Sequence, residues 1–283
     1  MFPAVADLHK SKADTTPATM IACGGSPAQL EARMSGQKTI LITGASQGIG
    51  AGLVKAFLDK SWNVVGTFRR ISNNPSFDQT ARLELVDGDV GDPATAERVA
   101  HRAVDRFGSI GALVNNAGIF FRKPFLQFTI EHFRQLSATN IEGFIHFTKR
   151  AIRQMLLQNS GGSVVTIRSS LTDHPIAGVA ASLPMITKGG LHAITKSLAL
   201  ELARENIRVD TLSPGVVDTP LHAESPKNHL NALSPIGTIT AVQEIVNGGV
   251  DLTESANITG EVLHVDHGAH SSGSADRYLG TMY

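Results

Sequence analysis

Thr43-Gly44-Ala45-Ser46-Gln47-Gly48-Ile49-Gly50 is the stretch that determines the fold of this chain. It follows a short apolar run, residues 38–43, and opens a segment of helical period, residues 48–60. Glycines allow a sharp turn there and keep side chains away from the N–H groups at the start of the helix, where phosphate groups bind. The stretch therefore predicts a strand, a turn that binds a diphosphate, and a helix. The alternative is a tight turn that binds nothing.

Further along the chain, short apolar runs alternate with longer segments of helical period. The predicted strands are residues 38–43, 62–67, 82–86, 110–115, 163–167, 207–212 and 261–265. The predicted helices are residues 48–60, 93–107 and 185–205, with a mostly helical stretch, either two helices or a bent one, over 130–158. Strands that are apolar along their whole length are covered on both faces, which favours a parallel sheet. The pattern predicts an α/β fold: a Rossmann-like, doubly wound, mostly parallel seven-stranded sheet with helices on both faces.

The length of 283 residues, with 42% apolar and 18% charged residues, fits one globular domain. We place this domain at residues 37–270. Residues 1–36 are expected to form an N-terminal extension, either a flexible arm or an arm that docks on a neighbouring subunit, and residues 271–283 a C-terminal tail. Residues 218–245 contain three prolines and no clear strand, and an insert at the carboxyl ends of the strands can cover a substrate.

Charge and composition argue against several classes of partner. Lysine plus arginine and aspartate plus glutamate each number 25, so the formal net charge is zero and no basic field is available to attract nucleic acid or anionic lipid. No apolar stretch reaches the roughly 18–20 residues that cross a bilayer. Cys23 is the single cysteine, which excludes an intrachain disulfide and favours a reducing cytoplasm.

Histidines near the end of the chain raise the question of a metal site. His264, His267 and His270 are spaced three apart, beside Asp266. Metal ligands must converge on one point, whereas these residues run from the last predicted strand into a Gly/Ser-rich tail. We therefore expect a solvated turn and no metal site.

Several motifs follow one another in an order that is typical of a known family. The glycine stretch, which reads Thr-Gly-x-x-x-Gly-x-Gly, precedes Asp89-Val90, Asn115-Asn116-Ala117-Gly118, Asn140, Ser170, Lys188 and Pro214-Gly215. Over about residues 37–270 the chain resembles the short-chain dehydrogenase/reductase family. The resemblance implies an oxidoreductase that moves a hydride between a nicotinamide cofactor and the carbon of a carbonyl or alcohol substrate.

The resemblance also assigns residues to the cofactor. Those that match the NAD(P)-binding positions of the family are Gly44, Ser46, Gln47, Gly48, Ile49, Gly50, Asp89, Val90, Asn116, Ala117, Gly118, Lys188, Pro214, Gly215 and Val217. Users of NAD in this fold generally have an acidic residue at the end of the second strand. Here Phe68 holds that place, followed by Arg69 and Arg70, which suit a 2′-phosphate. We therefore expect NADP(H) rather than NAD(H); the alternative is that both arginines are solvated.

The catalytic positions of the family are matched except for one. In the family, a serine binds the substrate oxygen, a tyrosine exchanges its proton, a lysine lowers the pKa of the tyrosine and holds the nicotinamide ribose, and an asparagine anchors a water molecule. The resemblance gives the roles of serine, lysine and asparagine to Ser170, Lys188 and Asn140, with Ser169 as the weaker candidate for the serine. The tyrosine position, four residues before the lysine, is occupied by Pro184.

Proline has no proton to give, so another group must carry it if the chemistry is retained. Apart from Lys188 acting through water held by Asn140, the candidates are His174, Tyr278 and Tyr283. Two hypotheses follow. The first is an active NADP-dependent oxidoreductase with an altered proton relay. The second is a weak or inactive NADP(H)-binding protein that acts as a sensor or partner subunit.

The resemblance has further implications for assembly and substrate. Family members are usually dimers or tetramers built through the helices that contain Asn140 and Lys188, so a homo-oligomer is expected. The substrate is expected to be a small carbonyl or alcohol compound. Four phenylalanines after the asparagine motif could line an apolar pocket, although core packing explains them equally well; they are Phe120, Phe121, Phe125 and Phe128.

Overall fold

Apolar runs of four to eight residues form the seven strands of one sheet. They are β1 Thr39–Thr43, β2 Asn63–Phe68, β3 Leu83–Asp87, β4 Ala112–Asn115, β5 Gly162–Ile167, β6 Ile207–Pro214 and β7 Val262–Val265. All neighbours pair in parallel, in the order β3-β2-β1-β4-β5-β6-β7. The chain winds outward first on one side of β1 and then on the other, which confirms the predicted doubly wound sheet.

The computed structural model describes residues 36–71, 74–176 and 178–271. The predicted extension up to residue 35 and the predicted tail beyond residue 271 lie outside these ranges, and so do Cys23 and both tyrosines.

Helices cover both faces of the sheet. Over the described residues they are α1 Gly48–Asp59, α2 Pro93–Phe107, α3 Ile130–Ser137, α4 Gly143–Gln158, α5 Ser182–Leu202, α6 Lys227–Asn231 and α7 Val242–Glu254. Asp92 caps α2, since its carboxylate accepts a hydrogen bond of 3.0 Å from the N–H of Ala94. No helix among the described residues is both long enough and apolar enough to span a membrane.

The two faces bury separate apolar cores, because successive side chains of a strand point to opposite sides. On one face, Ile40 and Ile42 of β1 pack in a cluster with residues of α1 and α7. On the other face, Leu41 belongs to a cluster with residues of α2, α4 and α5. The sheet is thus sandwiched, and its carboxyl edge is left to the loops that form the site.

Some boundaries differ from those predicted. Strand β4 begins at Ala112 rather than at residue 110, and α5 begins three residues before the predicted 185 and passes into a 3₁₀ turn, Ala203–Glu205. Helix α7, which crosses from β6 to β7 and packs on α1, was not predicted from the sequence. Its first four residues fall inside the segment 218–245 that was interpreted as a lid.

Candidate active site

The glycine turn after β1 has the backbone shape that only glycine adopts without strain. Gly44 has φ +66° and Gly48 has φ +55°. Gly50 is required for another reason, because a Cβ atom there would lie 2.2 Å from the carbonyl oxygen of Gly44. The turn is therefore fixed by steric exclusion, and its side-chain-free surface faces the carboxyl edge of the sheet.

The turn is bound to the end of β4 by hydrogen bonds. The Thr43 hydroxyl accepts from the N–H groups of Asn116 and Ala117, both at 3.0 Å. The side-chain amide of Asn116 donates in return to the carbonyl oxygens of Thr43 and Gly44, also at 3.0 Å. The two motifs that suggested a nucleotide site thus form one rigid unit.

A cleft of about 970 Å³ lies along this edge of the sheet. The predicted residues on its walls are Gly44, Gln47, Gly48, Ile49, Arg69, Asp89, Val90, Asn116, Ala117, Gly118, Ser170, Lys188, Pro214, Gly215 and Val217. Four other predicted positions, Ser46, Gly50, Arg70 and Asn140, do not line it. Phe120 and Phe121 do, whereas Phe125 and Phe128 stay off its wall.

Asn140 is held in an unusual turn between α3 and α4. Residues Ala138–Glu142 form a π-helical turn that joins the two helices into one continuous rod, within the predicted stretch 130–158. Extra residues in such turns re-aim a side chain out of the helical ladder. The buried Asn140 amide accepts from the N–H of Ile119 at 2.9 Å and donates to the Ile119 carbonyl oxygen at 3.1 Å and the Thr187 hydroxyl at 3.0 Å.

Gly118 lies between Asn140 and Lys188. A Cβ atom on Gly118 would stand 3.3 Å from Oδ1 of Asn140 and 3.6 Å from Nζ of Lys188. A small cavity of about 10 Å³, lined by all three residues, adjoins the main cleft and is close to the least space that holds one water molecule. The asparagine and lysine that the resemblance singled out are therefore brought together.

Lys188 is electrostatically unusual. Burial of its amine lowers its pKa to about 8, with a further contribution from the positive charge of Arg168. An amine with such a pKa can both release and take up a proton near neutral pH. This property matters because no tyrosine is present among the described residues.

Ser170 is the better candidate for the serine. It is buried at the carboxyl end of β5 and lines the cleft. The neighbouring Ser169 hydroxyl accepts a hydrogen bond of 3.4 Å from the N–H of Leu171 and so caps the 3₁₀ turn Ser170–Thr172. Ser169 thus has a structural use, whereas the hydroxyl of Ser170 makes no side-chain hydrogen bond within the described part of the chain.

Pro184 is buried in the first turn of α5, one turn before Lys188. A proline fits there because the first N–H groups of a helix have no partner within it. Its carbonyl oxygen accepts a hydrogen bond of 2.9 Å from the Thr187 hydroxyl, and its ring does not line the cleft. The chain therefore retains the helix that presents Lys188 but presents no acid from the preceding turn.

Arg168 is a component of the site that the sequence analysis missed. Its side chain is fully buried, pairs with Asp173 at 2.6 Å and also donates to the hydroxyl of Thr172. Asp173 in turn bonds His264 at 2.9 Å. The ion pairs and hydrogen bonds of Asp173 hold the pKa of its carboxyl below the ordinary value, against the opposing effect of burial. The buried cation is thereby stabilised beside Lys188.

The histidines do not converge on a point. His264 and His270 stack at 4.1 Å, and His270 bonds Asp266 at 2.9 Å, while His267 bonds Glu244 at 3.2 Å on α7. Over residues 36–71, 74–176 and 178–271, no group of three or more ligating side chains is placed to hold a metal ion. His174 lies 6.2 Å from the ring of His270 and does not line the cleft.

The site fits the dinucleotide that the motif suggests. No side chain caps the first N–H groups of α1, so they remain for a ligand. A Cβ atom on Gly44 would lie 2.9 Å from Cα of Ala117, so only glycine fits at this position of the turn. Thr219 stands opposite Gly48, with its Cγ2 atom 3.3 Å from where a Cβ atom would be. The sequence analysis did not single out Thr219.

Comparisons with known proteins agree with this geometry. A family model described as Enoyl-(Acyl carrier protein) reductase matches residues 44–270. Carbonyl reductase family member 4 of Xenopus laevis is 32% identical over 236 residues, which cover 82% of this chain and 97% of that protein. L-rhamnose 1-dehydrogenase (NAD(P)(+)) of Sphingomonas sp. (strain SKA58) is 29% identical over 247 residues, or 82% of this chain and 96% of that protein.

Solved structures of other proteins are also similar to this chain. The structure of ElxO with NADP bound has a TM-score of 0.77 and 26% identity, and it covers 83% of this chain and all of that one. The 3-ketoacyl-(acyl-carrier-protein) reductase from Brucella melitensis complexed with NADH has a TM-score of 0.75 and 26% identity, over 82% and 98% of the two chains. With its parallel sheet, its glycine turn and these relatives, the chain belongs to the short-chain dehydrogenase/reductase family.

Proposed function

We propose that the protein is an NADP(H)-dependent oxidoreductase that interconverts a carbonyl and an alcohol on a small-molecule substrate. The observation that carries the proposal is the position of Gly118 between Asn140 and Lys188, on a cleft that Ser170 also lines. A protein that only bound a nucleotide could use Lys188 to hold the ribose, but it would have no chemical use for Asn140 and Ser170. A bound nicotinamide would supply the hydride.

In this proposal Lys188 exchanges the proton in place of the absent tyrosine. Its pKa of about 8 lets the ammonium donate and the amine accept at physiological pH. The hydroxyl of Ser170 donates to the substrate oxygen and stabilises the negative charge that develops there. A water molecule in the small cavity, held by Asn140, would link Lys188 to solvent, which returns or takes up the proton that the lysine exchanges.

Arg168 has a supporting role in the same proposal. Its guanidinium is fixed by Asp173 and Thr172, so its charge cannot swing away from Lys188. A fixed positive charge disfavours the ammonium form of the lysine and so favours release of its proton. Arg168 thus acts through Lys188 and is a positioning residue rather than a catalytic one.

We propose NADP(H) as the preferred cofactor because of Arg69. This residue follows β2 and lines the cleft, and its guanidinium lies 5.6 Å from the ring of Phe68, the residue that replaces the acid of NAD users. A guanidinium suits the 2′-phosphate, which a carboxylate would repel. We expect Arg70 to contribute less than Arg69 to binding of the 2′-phosphate, because it does not line the cleft.

A second candidate function is that of an NADP(H)-binding protein with little or no turnover. Pro184 favours it, because a general acid typically contributes about 10²–10⁴-fold to the rate. The two functions differ in one observable. The first predicts NADPH oxidation with some ketone or aldehyde, and the second predicts tight binding of NADPH without oxidation.

The experiment combines binding and turnover on the same preparation. NADPH binding is followed by its fluorescence, and NADPH consumption is followed with a panel of ketones and aldehydes. Wild-type turnover that Lys188→Ala abolishes, while Lys55→Ala at an exposed position of α1 leaves it intact, supports the oxidoreductase. Binding without turnover over the whole panel favours the second candidate. Failure to bind either NADPH or NADH contradicts both.

We further propose that the protein is a homo-oligomer, a dimer or a tetramer, assembled through α4 and α5. Both helices carry large apolar side chains that are exposed in the single chain: Ile145, Leu157, Ile186 and Leu200. Exposed apolar surface on neighbouring helices is typical of an interface. A cytoplasmic location remains our proposal from the single cysteine, Cys23.

A further inference from the structure

The segments after β4 and β6 enclose one part of the cleft. Basic side chains line this part, and the acidic side chains of the cleft lie elsewhere. Arg122 after β4, and His222 and His229 after β6, line it. The carboxylates on the cleft wall are elsewhere: Asp89 and Asp92 follow β3, at the other end of the sheet, and Asp266 is engaged by His270. We call the surface formed by Arg122, His222 and His229, in which Arg122 supplies the fixed positive charge, the cationic wall.

Arg122 has no partner of its own on this wall. Arg122 makes no ion pair or side-chain hydrogen bond with any described residue. Its charge nevertheless reaches His222, whose pKa burial lowers and Arg122 lowers further. The guanidinium is therefore close to a half-buried imidazole from the opposite segment.

The phosphates of the cofactor do not account for this wall. The N–H groups at the start of α1, which no side chain caps, suit the diphosphate, and Arg69 after β2 lines the cleft and suits the 2′-phosphate. Arg122 follows β4 and His222 follows β6, and both strands lie on the opposite side of β1 from β2. An unpaired guanidinium is left for the second ligand, and its planar fork suits a carboxylate or a phosphate.

We propose that the substrate carries an anionic group, carboxylate or phosphate, which Arg122 binds together with His222 at the cationic wall. This inference rests on the proposed function, since it names the class of its carbonyl substrate. Phe120, Phe121 and Leu233 line the same cleft, so the carbon skeleton between the anion and the reacting carbonyl contacts apolar side chains. The predicted substrate is a keto acid or keto phosphate with an apolar body.

Equilibrium binding tests the inference without requiring turnover. The NADP⁺-loaded protein is titrated calorimetrically with 4-acetylbenzoate, its methyl ester, and 4-acetylphenyl phosphate. We expect at least one of the two anions to bind about tenfold or more tightly than the ester, as one charge-assisted hydrogen bond allows. The relative affinity of carboxylate and phosphate identifies which anion the wall prefers.

Variants test whether the cationic wall causes the preference for the anions over the ester. Arg122→Gln should reduce the preference for the anion to about threefold or less, Arg122→Lys should keep part of it, and the affinity for NADP⁺ should not change. Arg134→Gln, which removes an exposed charge paired with Glu131 on α3, is the matched control and should keep the preference. Equal affinity for ester and anions, failure of both anions to bind, or an equal loss of NADP⁺ affinity in Arg122→Gln would overturn the inference. Absence of NADPH turnover alone would contradict only the proposed function.

Discussion

The side-chain amide of Asn140 donates a hydrogen bond of 3.0 Å to the hydroxyl of Thr187. That hydroxyl donates in turn to the carbonyl oxygen of Pro184, so one chain of bonds runs from the π-helical turn to the start of α5. Lys188 is the next residue along. The geometry that positions the lysine is therefore built from Asn140, Thr187 and the backbone carbonyl of Pro184, and it does not depend on a phenol.

Restoring the phenol tests the altered relay. We expect Pro184→Tyr to raise NADPH-dependent ketone reduction at neutral pH by about 10²-fold, because a positioned general acid typically contributes this much or more. Pro184→Phe adds the same ring without the hydroxyl and should give no increase. The measurement is kcat for both variants on one ketone. Equal rates for the two would show that ring packing, rather than a proton, governs turnover.

The pH profile tests Lys188 as the proton carrier. Its pKa is about 8, and ketone reduction needs the ammonium form. Reduction should therefore decline as the pH rises through about 8, and alcohol oxidation, which needs the neutral amine, should increase over the same range. Arg168→Met should move both transitions to higher pH, because it removes the positive charge beside the amine.

The matched variant for this profile is Arg102→Met on α2, whose partner Glu84 lies far from the cleft. It should leave the transitions unchanged. Carbon-13 spectra of reductively methylated lysines, with Lys188→Arg for assignment, give the same pKa without turnover. A resonance that titrates near the ordinary lysine pKa in the wild-type protein would contradict the relay.

The sequence predicted the parts of the fold and site that depend on local pattern. All seven strands were found, since each contains a short apolar run, and Asn140 and Lys188 followed from motif order. The proximity of Arg168 to Lys188 could not be predicted, because a single arginine after a strand forms no recognisable sequence pattern. Only folding brings Arg168 to Asp173 and His264. Helix α7 was missed because prolines precede it, although Val242, Ile245 and Val246 have helical spacing.

Cofactor choice is tested at Arg69. We expect Arg69→Gln to weaken NADPH binding about tenfold, since a charge-assisted contact to the 2′-phosphate is lost, and to leave NADH binding unchanged. Arg70→Gln makes the same change in net charge at the adjacent position off the cleft wall, and should have a smaller effect. Dissociation constants of NADPH and NADH, measured by their fluorescence, show whether Arg69 is responsible for the preference. A wild-type protein that prefers NADH would refute the assignment.

The assembly is tested on the exposed apolar faces of α4 and α5. Ile186 is 54% exposed in the single chain and Leu200 is 83% exposed. Replacing either by glutamate should lower the mass measured by light scattering, because a buried charge without a partner opposes association. Ile236→Glu changes a residue that is 67% exposed but lies outside both helices, and it should keep the wild-type mass. A monomeric wild-type protein would contradict the proposal.

Asp210 makes the stability of the fold depend on pH. Its side chain on β6 is fully buried; Oδ1 accepts from the N–H of Glu261 at 3.1 Å, and Oδ2 has no hydrogen-bond partner. Burial raises its pKa to about 6, against 3.8 for an ordinary aspartate. Between these values the folded protein keeps a proton that the unfolded chain releases. The stabilisation by Asp210 is therefore complete below pH 3.8 and is lost as the pH rises to about 6.

Asp210→Asn stays neutral at every pH and removes this dependence. Relative to the wild-type protein, its free energy of unfolding should gain on the order of 2–3 kcal/mol between pH 4 and pH 7, the equivalent of a shift of about two pKa units. Urea denaturation at several pH values measures the difference in free energy of unfolding between the variant and the wild type. The titration of all other groups cancels in this difference. Asp251→Asn on the exposed side of α7 should run parallel to the wild type. A parallel curve for Asp210→Asn would mean that Arg208, 3.9 Å from the carboxylate, already keeps Asp210 charged in the folded state.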